Sequence, residues 1–124
     1  MTPSDYSKHV IATACWRAAK GELHQVMLSV CMVFLNRAQN GWFNGDLYEN
    51  VVHWLDEESV CGGYPDTRDP QFQQLLSKLD AVTLGLVPDR TGGATYFVNR
   101  NQMEVTLPEP YKITTTIGQM AFIR

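Results

Sequence analysis

The sequence predicts a small, mainly helical domain of the α or α+β class with a less regular, partly extended C-terminal third. Three observations predict it. The stretch from Gln25 to Arg37 is apolar on almost every side, which is typical of a buried helix at the centre of a fold. Segments on both sides of it repeat apolar residues at helical spacing. After Pro88 the pattern changes to short, alternating, β-branched runs. The chain has 124 residues, 44% of them hydrophobic, which suits a single domain over residues 1–124 with a core of its own.

The first helix is predicted to begin at Thr2, the N-cap, with Pro3 at the first helical position. Its apolar residues recur at the spacing of one buried face. They are Tyr6, Val10, Ile11, Ala14, Cys15 and Ala18. Gly21 is expected to end or kink this helix. The buried helix follows, and a strand is the competing interpretation because of its Val and Phe residues, although its length favours the helix.

The middle of the chain predicts two more helices separated by loops. Residues 40–46 ("NGWFNGD") read as a turn-rich loop, followed by an amphipathic helix over about 46–55. Its buried residues are predicted to be Leu47, Val51, Val52 and Leu55. Residues 56–69 lack periodicity and form a loop. Asp69 and Pro70 open another helix by the cap-then-proline rule, and Gly85 and Pro88 end it. Its apolar face consists of Phe72, Leu75, Leu76, Leu79 and Val82.

The composition argues against some classes of protein. The net charge is −3 and the ten Lys and Arg residues are scattered, so a dedicated nucleic-acid binder is not expected. Cys15, Cys31 and Cys61 are an odd number without metal-type spacing, which predicts free, mostly buried thiols and folding in a reducing compartment. No His or Cys pair has ligand spacing, so neither a metal nor another cofactor is expected.

The N-terminal residues and the length of the apolar stretches predict where the protein is made and whether it enters a membrane. The start "MTPSDYSKHV" lacks the basic and apolar regions of a classical signal peptide, which predicts a protein made in the cytoplasm. No apolar stretch approaches the roughly 18 residues that a membrane-spanning helix needs, so membrane insertion is not expected.

Four blocks of the sequence together resemble the SleB-like cell-wall hydrolases, a spore-cortex-lytic and phage-associated family with a lysozyme-like fold. "WRAAKGE" is similar to a W/Y-G-E-A-R-G-E block, and "NR" follows it fourteen residues later at the end of the buried helix. "VVHWLDEESVCGG" resembles a V-V segment before a Q-F-S-C loop. "GLVPDRTGGATYFVN" resembles a G-x-x-x-D-x-T-G-G-A-x-x-F block. "PEPY…TTTIGQMAFIR" is similar to a closing P-x-W…I-G-x-H-x-F.

The resemblance implies cleavage of the glycan strand of peptidoglycan, by hydrolysis or by lytic transglycosylation. Such cleavage needs a carboxylic acid that protonates the glycosidic oxygen near neutral pH, and partial burial is what raises the pKa of a glutamate into that range. The partner is then the peptidoglycan glycan strand. An active protein would act at the cell wall, carried in a phage particle or released through a separate membrane lesion of the holin type.

The sequence departs from the family pattern at polar positions. The first acid of the E-A-R-G-E block, the expected general acid, falls on Ala18, and the closing histidine falls on Met120. Glu22 remains as the candidate acid. If the first helix continues past residue 18, positions 18 and 22 share a face; if Gly21 breaks it, the side chain points elsewhere. The alternative role of Glu22 is a solvated residue at the start of the second helix.

The remaining candidates are weaker. Glu58, on an acidic loop, is the candidate second carboxylate, although such acid runs are usually solvated. Trp16, Tyr96 and Phe97 are the candidate sugar-binding aromatic residues, and the latter two are equally compatible with a place in the core or in a strand. A structural role is favoured for Arg37, and a Cys61–His53 nucleophile pair is not favoured.

Three functions therefore stay open. The first is a peptidoglycan glycosidase or lytic transglycosylase. The second is a catalytically inactive relative that binds peptidoglycan, or a protein partner, through the old cleft. The third is an intracellular interaction module that keeps only the fold.

Overall fold

Four helices and a small antiparallel sheet make up the computed structural model, which describes residues 5–57, 65–99 and 110–124. The helices are α1 (Asp5–Ala18), α2 (His24–Gln39), α3 (Leu47–Glu57) and α4 (Pro70–Thr83). The strands are β1 (Tyr96–Asn99), β2 (Ile113–Ile117) and β3 (Met120–Ile123), and a short 3₁₀ helix covers Trp42–Gly45. The predicted mainly helical α+β class is confirmed.

The centre of the fold is α2, as the all-round apolar pattern predicts. Most of its residues are buried, and α1, α3 and α4 all pack against it. The core is completed by α4, whose Phe72, Leu75, Leu79 and Val82 are buried, and by Met120 and Phe122 of β3. Leu76 is half-buried. The predicted strand alternative for α2 is wrong, because the segment continues as a helix for 16 residues.

Local sequence signals explain the helix ends. Asp69 caps α4 by accepting the Gln71 backbone N–H at 2.8 Å, with Pro70 at the first helical position, as predicted. Gly21 and Gly85 adopt φ of +86° and +76° just after α1 and α4. That left-handed conformation favours glycine at the end of a helix. The predicted start at Thr2 lies outside the described residues.

The sheet has the order β1–β3–β2, with both pairs antiparallel. Strands β2 and β3 form a hairpin whose turn contains Gly118 and Gln119. The predicted extended C-terminal third is thus confirmed for the final segment and for "TYFVN", whereas "MEVTL" lies outside the described residues. In the register of the sheet, Asn99 lies opposite Met120, next to the hairpin turn, and Tyr96 lies opposite Ile123 at the far end.

One prediction about the core is wrong. Cys15 and Cys31, expected as free thiols, form a disulfide between α1 and α2, with their Cα atoms 5.8 Å apart. The two residues are 16 positions apart, and the packing of two consecutive helices brings them together in a way that spacing alone does not reveal. The inference of a reducing compartment, which rested on free thiols, loses its basis. Cys61 lies outside the described residues.

No helix within the described parts of the chain combines the length and the apolar character that a membrane span requires.

Candidate functional site

Glu22 lies in the tight connection between α1 and α2. Helix α1 ends at Ala18, and the Glu22 backbone N–H donates to the Ala19 carbonyl at 2.9 Å as the chain reverses direction. Gly21, with its positive φ, allows this reversal. The helix therefore does not continue to Glu22, and positions 18 and 22 do not share a helical face. This is the predicted alternative in which Gly21 breaks the helix and the Glu22 side chain points elsewhere.

The Glu22 carboxylate is directed at the turn between β2 and β3. Its Oε1 atom accepts the backbone N–H of Gln119 at 3.2 Å. A Cβ atom at Gly118 would lie 2.8 Å from Glu22 Oε2, so the close approach of the turn depends on glycine. On the other side, the Glu22 carbonyl accepts a hydrogen bond from the Gln71 side-chain amide at 3.1 Å. Glu22 is thus half-buried where the α1–α2 connection, α4 and the hairpin meet.

Two of the positions at which the sequence departs from the family pattern, Ala18 and Met120, pack in or against the core. Ala18 is half-buried and packs against the core. Met120 is 1% exposed in the central strand, immediately after Gln119. A thioether suits this apolar site better than an imidazole does, because a buried polar ring needs hydrogen-bond partners. The buried, apolar surroundings of position 120 therefore suit the methionine that stands there in place of the expected histidine.

A second polar cluster joins the end of α2 to the loop before β1. The buried Asn36 side chain donates to Asp89 Oδ2 at 3.0 Å and to the Ala94 carbonyl at 2.9 Å. Asp89 also accepts the Thr91 hydroxyl at 2.6 Å, the Thr91 N–H at 2.8 Å and the Gly93 N–H at 3.0 Å. These contacts fold residues 89–94 into a compact loop held against the buried helix.

The hydrogen bonds control the charge of Asp89. Partial burial of the carboxyl group acts to raise its pKa, but the hydrogen bonds from Thr91, Asn36 and Gly93 together lower the pKa below the ordinary value of 3.8. Asp89 therefore stays ionised near neutral pH. An ionised carboxylate with this many donors serves as a loop anchor and is poorly suited to donate a proton.

Tyr96 belongs to an aromatic patch, which we define as Trp42, Phe43, Tyr96 and Tyr111. The Tyr96 ring lies 5.6 Å from the rings of both Trp42 and Tyr111. Phe43 and Tyr111 are 40% and 41% exposed, while Trp42 and Tyr96 are half-buried. The Tyr96 ring is therefore partly accessible within this patch.

Arg37 lies behind this aromatic patch. Its guanidinium carbon is 4.9 Å from the centre of the Trp42 ring and 5.6 Å from that of Tyr96. Its Nε donates to the Thr95 carbonyl at 2.7 Å. These contacts agree with the structural role predicted for Arg37, because they attach the 3₁₀ segment and β1 to the last turn of α2.

The other predicted sugar-binding residues lie elsewhere. Phe97 is half-buried and packs edge-on against Phe34 at 5.9 Å and at a tilt against Trp54 at 6.0 Å, which corresponds to the core alternative. Trp16 is half-buried on α1, with the Lys20 ammonium 5.1 Å from the centre of its ring. Neither Trp16 nor Phe97 has a ring contact with the exposed members of the aromatic patch among the described residues.

The predicted second carboxylate, Glu58, lies outside the described residues, as does Cys61 of the nucleophile pair considered above. Asp56, which precedes Glu58 by two residues, is described and is exposed at the end of α3. His53 is also exposed, and its ring lies 4.9 Å from that of Phe43. Among the described residues, no group of three or more His, Cys, Asp and Glu side chains is arranged to hold a metal ion.

The 41–45 turn lies in the predicted turn-rich loop, but its run of left-handed residues was not predicted. Phe43 and Asn44 both adopt the left-handed conformation, with φ of +51° and +57°, between two glycines that do so as well. The buried Asn50 side chain holds this turn by donating to the Asp46 carbonyl at 2.8 Å and to the Trp42 carbonyl at 3.3 Å. The two Asn-Gly pairs in "NGWFNG" were the available signal of left-handed backbone.

Comparisons with the models of known protein families, with curated proteins and with solved structures find no match for this chain. The family assignment therefore stays a prediction from the four sequence blocks.

Proposed function

We propose that this protein cleaves the glycan strand of peptidoglycan, as a muramidase or lytic transglycosylase of SleB-like type, with Glu22 as the general acid. The observation that carries the proposal is the contact between Glu22 and the Gln119 N–H at 3.2 Å. It joins the "KGE" end of the first resembling block to the "IGQM" part of the last, 97 positions later. Because Glu22 is only half-buried at this junction, part of its side chain stays accessible from the surface.

A second pair of blocks also meets in space. Asn36 of the "NR" pair binds Asp89 of the D-x-T-G-G-A block at 3.0 Å. Because these contacts shape the loop that leads into β1, they fix the position of Tyr96. The proposal therefore has a residue for acid catalysis, Glu22, and a sheet that carries a half-buried ring, Tyr96, for sugar binding.

The aromatic patch is the proposed glycan-binding surface. Aromatic rings bury the apolar C–H face of a sugar while leaving the hydroxyl edge free for hydrogen bonds. From Tyr96, β1 runs for three residues, about 10 Å, to Asn99, which pairs with Met120 beside the turn at Glu22. The proposed sugar-binding rings and the proposed acid thus lie at opposite ends of the paired strands β1 and β3.

The disulfide supports a place of action outside the reducing cytoplasm. Disulfides persist in oxidising environments and are rare in reduced compartments. The bond between Cys15 and Cys31 ties α1 to α2, and Cys15 lies in the last turn of α1, before the connection that holds Glu22. It is thus compatible with a protein that works at the cell wall.

The test compares wild-type protein with Glu22→Gln on purified peptidoglycan, by following turbidity and the release of muropeptides. Glutamine keeps an oxygen that accepts the Gln119 N–H, so the hairpin contact survives while the transferable proton is lost. We expect activity to fall by about 10²- to 10⁴-fold. Glu49→Gln, at an exposed glutamate on α3, is the matched control and should leave activity unchanged. Equal activity in wild type and Glu22→Gln would remove Glu22 from the mechanism.

A catalytically inactive relative that binds peptidoglycan is the second candidate. The observation that favours it is that Glu22 already serves as a hydrogen-bond acceptor for the hairpin, while the expected acid and histidine positions hold Ala18 and Met120. This candidate predicts co-sedimentation with peptidoglycan without any loss of turbidity. Activity created by Ala18→Glu would identify position 18 as the lost acid position.

A further inference from the structure

A groove runs along the surface between α1 and α3, away from the turn that holds Glu22. Its volume is about 390 Å³, which falls within the range of small-molecule sites. The walls come from both helices, and its lining includes the apolar side chains of Val10, Val52 and Leu55. All three are half-buried and therefore still offer apolar surface to a ligand.

The two ends of the groove differ in chemistry. Tyr6 and Tyr48, from the first turns of the two helices, lie at one end with their ring centres 6.4 Å apart. Arg17 and Asp56, from the last turns, line the other end. The groove therefore presents a cation on one wall and an anion on the opposite wall, next to an apolar floor.

Each charge selects a complementary group. Arg17 is half-buried and already takes part in an interaction within the chain, but its guanidinium has five N–H donors and can bind a carboxylate in addition. Asp56 is exposed near the C-terminal end of α3, where the free carbonyl groups also favour a positive charge.

We propose that this groove binds a short zwitterionic peptide, with its carboxylate at Arg17, its ammonium group at Asp56 and an apolar side chain on Val52 and Leu55. An extended dipeptide is about 7 Å long. The peptide backbone would lie across the end of the groove between Arg17 and Asp56, and the 11 positions from Tyr6 to Arg17, about 16 Å of helix, leave room along the groove for its side chain. This site is independent of the proposed glycan cleavage.

The probe is the dipeptide alanyl-leucine, titrated into the isotopically labelled full chain and followed by amide NMR shifts. N-acetyl-alanyl-leucine lacks the ammonium group, and alanyl-leucine amide lacks the carboxylate. We expect the shifts to fall on α1 and α3 and the two modified peptides to bind about two- to fivefold more weakly than the zwitterion. Free leucine, which carries both charges but is shorter, should also bind more weakly.

Two variants test whether Arg17 binds the carboxylate of the peptide and Asp56 binds its ammonium group. Arg17→Gln should bind the unmodified dipeptide as weakly as wild type binds the amide form. Asp56→Asn should bind it as weakly as wild type binds the acetylated form, and because Asp56 is exposed this variant is expected to fold normally. Equal binding of all three peptides, shifts that lie outside the groove, or an absence of shifts at millimolar peptide would each overturn the proposal. Equal binding of free leucine would overturn its peptide character.

Discussion

Replacing Gly118 by alanine tests the contact between Glu22 and the hairpin turn. The new Cβ atom would lie 2.8 Å from Glu22 Oε2 and 3.1 Å from Val26 Cγ2. The carboxylate is the end of a flexible side chain and can move away, but doing so breaks its hydrogen bond with Gln119. Val26 is only 1% exposed and has less freedom to move. The substitution should therefore separate the turn from Glu22.

The magnitude follows from two contributions. Gly118 has a φ of +59°, and alanine in this left-handed region costs about 1–2 kcal/mol. The lost hydrogen bond to a half-buried carboxylate adds about 1–1.5 kcal/mol. Gly85→Ala is the matched control, because Gly85 has a φ of +76° and a Cβ atom added there would meet nothing within 4 Å. Gly118→Ala should thus destabilise the fold by about 1–1.5 kcal/mol more than Gly85→Ala.

Urea unfolding of both variants gives the difference, and a double-variant cycle assigns it. In a Glu22→Ala background the hydrogen bond is already absent, so the additional cost of Gly118→Ala should fall toward that of Gly85→Ala. If Gly118→Ala costs no more than Gly85→Ala in the wild type, or if its cost is the same in both backgrounds, the proposed contact does not stabilise the protein.

Three further predictions concern stability and pH. Replacing both Cys15 and Cys31 by alanine should lower the free energy of unfolding by about 3 kcal/mol, given the 16-residue separation, and an unchanged urea midpoint would contradict the disulfide. The pKa of Asp89 is lowered from 3.8, so its stabilising contribution is complete above pH 3.8 and is lost as the pH falls toward the folded-state value. Urea unfolding below pH 4 should show this loss, and Asp89→Asn should abolish it. Burial, with a smaller effect from Lys78, lowers the pKa of His24 from 6.5, so stability should also decline as the pH falls below 6.5. His24→Gln should flatten that part of the profile, and an unchanged slope would show that His24 does not contribute.

The helices could be predicted because their signals are local. The cap at Asp69 and the proline that follows it act within one turn, and the apolar spacing of α4 is a property of a single face. The same holds for the buried character of α2, which needs no knowledge of its neighbours. The boundaries of α2 and α3 differ from the predicted ones by a few residues, because helix ends depend on contacts as well as on propensity.

Two of the features that escaped prediction depend on residues far apart in the sequence. The Cys15–Cys31 bond requires the relative orientation of two helices, and the Glu22–Gln119 contact joins positions 97 apart. The left-handed Phe43 is unexpected for a bulky residue, since such a conformation is strained and has to be held by the surrounding fold. The buried Asn50 supplies part of that support through its bonds to the turn. Local spacing therefore predicts neither the disulfide nor the Glu22–Gln119 contact.

The double role of Glu22 decides how the catalytic test should be interpreted. A carboxylate that anchors the hairpin loses stability and activity together when it is replaced by alanine, so Glu22→Ala alone does not separate the two roles. Glu22→Gln does separate them, because the amide oxygen still accepts the Gln119 N–H. Near-normal stability with lost turnover would assign the proton of Glu22 to catalysis. Near-normal stability with retained binding and no turnover in either protein would leave the residue as an anchor of a glycan-binding domain.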